Sequence, residues 1–464
     1  MNFSPDQAKA LEVLETGKNC FLTGKAGTGK SSITKEFIRW CEDNDKSIIV
    51  CASTGAAAQG LSEFGACTIH RAFNLRAKGI IGLPKKPTKE IEAADIIIID
   101  EISMCRIDLF EHIATAVKMV NANREHDANI IARKTGTEPD YKPIQLIVVG
   151  DFTQLRPVVT KDDANAMRAM YGSKVFAFES KLWKEMNFEN LSLTEVHRQE
   201  KDQEYAEHLN EIRRCKKDPD PFADSDTLDW FNLNTAKAPF ENEECINLCG
   251  KNVTASEENR MRLEELPGET YISTAEIKGE ADMSSVNAEY ELTYKIGAKV
   301  MMLTNGNGYH NGSIGIIKKV VDSIFDDEEE VVIEIDGTDV YVGKNKWVVY
   351  KPTVKEEIVQ EIDKFGQPVK KTKKTVENKE AGQVIQYPFK LGYAVTIHKA
   401  QGMTLTNGVN LKPEIWDSGQ LYVALSRVDC RENIYIDGIL KDKNWKLDKK
   451  VEKFYQSFDE EWKE

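Results

Sequence analysis

Short, uninterrupted apolar runs alternate with helical patterns through residues 1–190. CFLTG, SIIVCAS, IIIIDEIS and LIVVGDF lack the in-and-out alternation of a half-solvated strand, and each precedes a helix-forming segment. Strands of that kind are buried on both faces, which predicts a parallel sheet covered by helices on either side. In IIIIDE and LIVVGD the polar residues follow directly on the apolar run. They are therefore expected at the carboxyl ends of strands, where open α/β sheets hold their ligands.

The pattern resumes after residue 190 with CINLCGKN, the helical VTASEENRMRLEEL, GAKVMMLTN, GVNL and NIYIDG, predicting a second α/β lobe. Between GAKVMMLTN and YAVTIHKAQG the character changes. NGSIGIIKKVVD, DDEEEVVIEIDG and TDVYVGKNKWVVYKP combine β-branched residues with Gly and Asp turns and predict a small antiparallel β insert. Residues 364–374, KFGQPVKKTKK, read either as a hairpin tip with concentrated positive charge or as a solvated loop.

A chain of 464 residues, 41% hydrophobic and 30% charged, has room for two or three domains with real cores. No stretch approaches the roughly 20 apolar residues of a membrane span, and MNFSPDQ lacks the basic and apolar parts of a secretory signal. A soluble, intracellular protein is expected. The nine cysteines are scattered, and only Cys245 and Cys249 lie close together, with no second pair to complete a zinc site, so reduced thiols are expected. The formal charge of −14 argues against a surface that is basic overall, but leaves room for a narrow basic channel.

The sharpest chemical signal is GKAGTGKS at residues 24–31, which follows the apolar run NCFLT and fits G-x-x-x-x-G-K-[ST]. Gly24, Gly27 and Gly29 let backbone N–H groups turn inward around phosphate oxygens. Lys30 would neutralise the β and γ phosphates of ATP, and the Ser31 hydroxyl would ligate Mg²⁺. Asp100 and Glu101 end IIIIDE at the same sheet edge; Asp100 is expected to hold the metal and Glu101 to act as general base on the attacking water. Gln154, in LIVVGDFTQLRP with Asp151 nearby, would sense the γ-phosphate. Arg198 in LTEVHRQ and Arg427 in YVALSR would bring positive charge from the second lobe to the transferring phosphoryl group, or else form surface ion pairs.

Together these motifs resemble the superfamily-one (subgroup B) DNA helicases, within them the RecD-like Pif-one (petite integration frequency) family. SPDQAKAL, GKAGTGKS, ASTGAAAQGL, CTIHRAF, IIDEISM, VVGDFTQLRPV, LTEVHRQ, IGAKVMMLTN, NGSIG, YAVTIHKAQGMTL and LYVALSR carry the resemblance, in that order, over nearly the whole chain. It implies an α/β fold of two RecA-like P-loop lobes: residues 1–73 and 90–190 for the first, 191–310 and 384–445 for the second. A small wedge at 74–89, an SH3-like β insert at 311–383 and a helical tail at 446–464 complete the expected layout.

For ATP, the resemblance implies a base-reading Gln7, a possible stacking Arg39, and contacts from Ala26, Thr28, Ser32 and Gly402 in addition to the residues above. For single-stranded DNA it implies Ser53, Thr54, Gly55, Thr68, His70 and Phe73 in the first lobe and Thr396, His398 and Lys399 in the second. Phe73 reads equally as a core residue, and His398 has a buried, satisfied alternative. The implied activity is ATP- and Mg²⁺-dependent 5′ to 3′ movement on single strands with unwinding of duplexes, forks and, as in relatives, G-quadruplexes or RNA–DNA hybrids. A DNA-stimulated translocase that strips bound protein, and a nucleotide-switched binding protein, are the competing readings. The chain reads as a monomeric motor core without targeting extensions, from a prokaryotic cytoplasm or a virus of a bacterial host.

Overall fold

The computed structural model describes residues 3–76, 79–215, 226–241, 245–283, 286–322, 329–362, 368–405 and 407–462. In the first lobe, β1 (Cys20–Gly24), β2 (Ile48–Ala52), β3 (Cys67–Thr68), β4 (Ile96–Asp100), β5 (Gln145–Val149) and β6 (Glu189–Leu193) form one sheet in the order β3-β2-β4-β5-β1-β6. Every pairing is parallel. Ile97, Ile99, Leu146 and Val148 enter one core, while Ile96, Ile98, Ile147 and Val149 enter another on the opposite face. Burial on both faces is why these runs carry no polar alternation.

The second lobe has four parallel strands in the order Ala394–Thr396, Ile246–Cys249, Val409–Leu411 and Ile434–Ile436. Helices Gln203–Arg214, Asp226–Asn234 and Gln420–Leu425 contribute Tyr205, Leu209, Phe231 and Leu421 to its core. Two α/β lobes with parallel sheets therefore stand as the sequence predicts.

Boundaries differ in three places. Strand β6 keeps residues up to Leu193 in the first lobe's sheet, beyond the expected limit at 190. Lys299–Met302, expected in the second parallel sheet, is instead an antiparallel strand between Ile314–Asp322 and Phe389–Leu391, so the five-stranded insert sheet reaches outside 311–383. Val300 and Met302 face the insert core while Met301 faces the second lobe's core. A strand shared by two cores reads as a continuous apolar run, which disguised its place.

The third difference is the tail. Helix Lys449–Gln456 is not a separate appendage: Val451 and Tyr455 are buried in the first lobe's core beside Phe21 and Phe152, and Phe454 stacks on Phe178 at 4.3 Å. Residues 449–462 thus pack in the lobe that holds β1.

Two expectations lie partly outside the described residues, the hairpin tip (363–367) and positions 77–78 of the wedge segment. The hairpin's arms, Asn345–Ile362 and Pro368–Gln386, pair along their length and lean on the first lobe, where Asn378 Nδ2 donates to Phe64 O at 3.2 Å. The described wedge residues lie along the start of helix Ile107–Thr135. Ile81 N donates to Asp108 at 2.8 Å and Arg106 donates to Gly79 O at 2.8 Å.

Candidate ATP and DNA site

The turn after β1 feeds helix Lys30–Asp43, whose Ile33, Phe37, Ile38 and Cys41 anchor it on the sheet. Gly27 and Gly29 both have φ of +81°, and a Cβ at Gly27 would stand 2.6 Å from the Arg198 Cβ. Only glycine fits that conformation with that neighbour so close. The loop lies at the mouth of a cleft of about 930 Å³ between the lobes, lined by Ala26, Thr28, Ser31, Ser32, Glu101, Gln154, Arg198, Gly402 and Arg427 among others. Lys30 Nζ donates to Gly24 O and Lys25 O, both at 2.8 Å, and burial draws its pKa down to about 8.

Asp100 ends β4 and accepts a hydrogen bond from Glu101 N at 2.9 Å. Glu101 has φ 51° and ψ 49°, a left-handed conformation that a non-glycine residue adopts at a cost of about 1–3 kcal/mol. That turn aims the carboxylate into the cleft. Burial, with Glu101 alongside, pushes the Asp100 carboxyl up to about 7, and burial raises Glu101 against the pull of Lys30 and Arg427. Ser31 and Asp100 offer hard oxygen donors. The described residues hold no cluster of three or more His, Cys, Asp or Glu, so a cation here would complete its shell with phosphate and water, as suits Mg²⁺.

The two arginines are placed differently from each other. Arg198 follows β6 on the connector between lobes; His197 N donates to Gly27 O at 3.0 Å, and Arg198 Nη1 donates to Ser426 O at 2.8 Å. Arg427 is buried in the second lobe, donating to Val423 O, Ala400 O, Met403 O and Ser426 Oγ, and burial, with Arg198 near, lowers its pKa to about 9. Neither is a surface ion pair. Gln7 donates to Thr28 O at 3.1 Å and accepts from Ser4 N, with His197 also at 3.1 Å. Arg39 is not at the cleft: it lies over the Phe64 ring and pairs with Glu36, because its helix face turns outward there.

On the expected DNA path, the Thr54 side chain caps helix Gly55–Gln59 by accepting from Ala57 N, and the Ser53 hydroxyl is buried without a hydrogen-bond partner. Thr68 and His70 line a separate cavity with Glu280, Asp282 and Lys351 of the second lobe's β structure. Arg71 ties the two sides together, donating to Glu280 O at 2.8 Å and pairing with Asp282 at 3.6 Å. Phe73 is corrected: at 2% exposure it is part of the first lobe's core, edge-on to His112, and offers no face to a base. Thr396 is buried, Lys399 is exposed, and the half-buried His398 lies near-parallel to Trp416, its pKa lowered by burial.

Sequence reasoning missed several residues. Tyr422 accepts at its hydroxyl from Ala26 N at 2.7 Å, reaching the loop from the opposite lobe. Gln401 donates to Glu101 at 3.0 Å and to Gln154 at 3.3 Å. Asp151, noted only as near Gln154, is a buried hub: Arg213 Nε donates to it at 3.0 Å, Tyr455 Oη at 3.0 Å and Thr153 Oγ1 at 2.7 Å. Gln401 lies inside a quoted motif and could have been singled out; Tyr422, also in a motif, and Tyr455, in none, carry no local signal.

Comparison with known proteins agrees with this geometry. Residues 2–217 match the family model described as PIF1-like helicase. The chain is 29% identical to the ATP-dependent DNA helicase Pif1 of Campylobacter jejuni, over 90% of this chain and 88% of that protein. Against the Xenopus laevis ATP-dependent DNA helicase PIF1 it is 27% identical, over 94% of this chain and 61% of that one. Bacteroides sp Pif1 with ADP-AlF4 superposes with a TM-score of 0.74 at 25% identity, covering 98% of both chains. Bacteroides Pif1 bound to ssDNA gives 0.63 at 26% identity, covering 99% and 98%. With the loop, the acidic pair and both arginines around one interlobe cleft, the chain is similar to the PIF1-like helicases, whose family model its residues 2–217 match.

Proposed function

We propose that this chain is an ATP-driven DNA helicase that moves 5′ to 3′ on single-stranded DNA and opens duplexes at forks. The observation that carries this reading is the interlobe cleft, in which the phosphate loop and Glu101 of one lobe face Arg427 of the other. Hydrolysis that needs groups from both lobes ties each chemical step to lobe closure. The carboxylate of Glu101 accepts a proton from water as its oxygen attacks the γ-phosphorus, and the bond to the β-phosphate oxygen breaks to release ADP. Gln154 orients that water, while Lys30, Arg198 and Arg427 offset the charge that spreads over the phosphoryl oxygens. Mg²⁺ held by Ser31 and Asp100 would supply further charge neutralisation on the β and γ oxygens.

DNA runs across the tops of the lobes in this reading, over Ser53, Thr54, Gly55, Thr68 and His70 and on to Thr396, His398 and Lys399. Hydroxyls and amides hold phosphates there without reading sequence. No helix among the described residues is long and apolar enough to cross a membrane. The test is unwinding of partial duplexes with a 5′ or a 3′ tail, with ATP and Mg²⁺ and with Lys30→Ala as control. Opening of the 5′-tailed substrate alone is expected; opening of the 3′-tailed one alone refutes the polarity. Brisk DNA-stimulated hydrolysis with no opening favours a protein-stripping translocase.

A further inference from the structure

Gln401 closes a turn that begins at Thr396: Ala400 N donates to Thr396 O at 3.0 Å and Gln401 N to His398 O at 3.4 Å. His398 and Lys399, on the outer side of that turn, are the second lobe's DNA-facing candidates. The Gln401 side chain reaches across to Glu101 and Gln154 of the first lobe, both of which line the cleft. Its amide nitrogen bridges Glu101 Oε2 and Gln154 Oε1, the two groups assigned to activating and orienting water. Its own Oε1 is buried without a hydrogen-bond partner. A buried acceptor left unpaired is unfavourable, so the side chain is held there by the turn and by the two bonds of its amide nitrogen. Arg427 holds that turn from beneath through Ala400 O and Met403 O.

We propose that Gln401 is a positioning residue: it aligns Glu101 and Gln154, and through its short turn it carries the state of the DNA-facing surface into the rate of hydrolysis. Its bare Oε1 adds an acceptor beside the two groups that handle the attacking water. This rests on the ATP-hydrolysing reading above. DNA seated on His398 and Lys399 fixes the turn, the turn fixes the amide, and the amide fixes the base.

The experiment is steady-state ATP hydrolysis by Gln401→Met, which keeps length and volume while removing both polar ends, with and without saturating single-stranded DNA. At saturating DNA, kcat is expected to fall at least about tenfold, with KM for ATP and Kd for DNA within about twofold of the parent and the thermal midpoint unchanged. Gln154→Ala combined with Gln401→Met is expected to be no slower than the slower single variant, as residues acting as one unit behave. A kcat at saturating DNA within about twofold of the parent overturns the proposal, as does a rise in KM at constant kcat. Loss of kcat in step with a fall in thermal midpoint, or additive losses in the double variant, overturns it too. The underlying reading fails separately, if the parent shows no DNA-stimulated hydrolysis or if Glu101→Gln hydrolyses at the parent's rate.

Discussion

Glu101, the general base of the proposed function, is one strained residue of the cleft. Its left-handed backbone fixes where the carboxylate points, and its raised pKa, caused by burial, makes it a better proton acceptor than a solvated glutamate. Glu101→Gln is nearly isosteric and should keep the turn, so ATP binding is expected to persist while kcat falls about 100- to 10,000-fold, the usual worth of a general base. Equilibrium binding of labelled ATP beside steady-state hydrolysis checks both halves. The working form is the carboxylate, so activity is lost as pH falls through the raised pKa. The acid limb of kcat is therefore expected above the roughly 4.3 of an ordinary glutamate.

At the scale of elements, the cluster joining β5, helix Gln203–Arg214 and helix Lys449–Gln456 ties three distant parts of the chain together. Asp151 and Arg213 are both fully buried, and Arg213 lies over the Tyr455 and Trp462 rings at 5.3 and 5.4 Å. Burial opposes ionisation of Asp151, but Arg213 and Lys30 outweigh it and hold its pKa below the ordinary value. A depressed folded pKa contributes stability above the unfolded value of about 3.9, lost as pH falls below it. Arg213→Met leaves that carboxylate without its principal counter-charge and is expected to cost about 3–5 kcal/mol, read from urea unfolding at neutral pH. Its acid unfolding should move to higher pH than the parent's. Tyr455→Phe, which removes one hydroxyl from the same carboxylate, should cost about 2 kcal/mol.

This cluster also marks where sequence reading stops. The phosphate loop, the acidic pair and the parallel strands were legible because each is a local pattern whose residues act where they stand. Asp151, Arg213 and Tyr455 lie far apart in sequence and meet only through packing. Phe73 shows the opposite case: it sits in a motif that left a core place and a stacking role equally open, and its ring faces the core. Lys299–Met302 was misplaced because serving two cores erases the alternation that would have shown an antiparallel strand.

For the whole molecule, the proposed function raises the question of how a protein of net charge −14 would admit a polyanion. On the proposed DNA path, Thr68 and His70 share a cavity with Glu280 and Asp282, and Arg71 is bound to this acidic roof, to Glu280 O and Asp282, rather than offered to phosphate. If Asp282 competes with DNA for Arg71, Asp282→Ala should tighten single-strand binding several-fold at low salt. Arg71 then adds one phosphate contact, which steepens the dependence of log K on log salt by about 0.7, the increment for one cation on a single strand. Anisotropy of a labelled oligonucleotide across a salt series measures both quantities. Unchanged affinity and slope would place Arg71 off the DNA path and leave the roof a purely structural contact between lobes. A tighter but equally salt-dependent complex would mean that Asp282 acts through repulsion of the strand, with Arg71 still bound to Glu280 O.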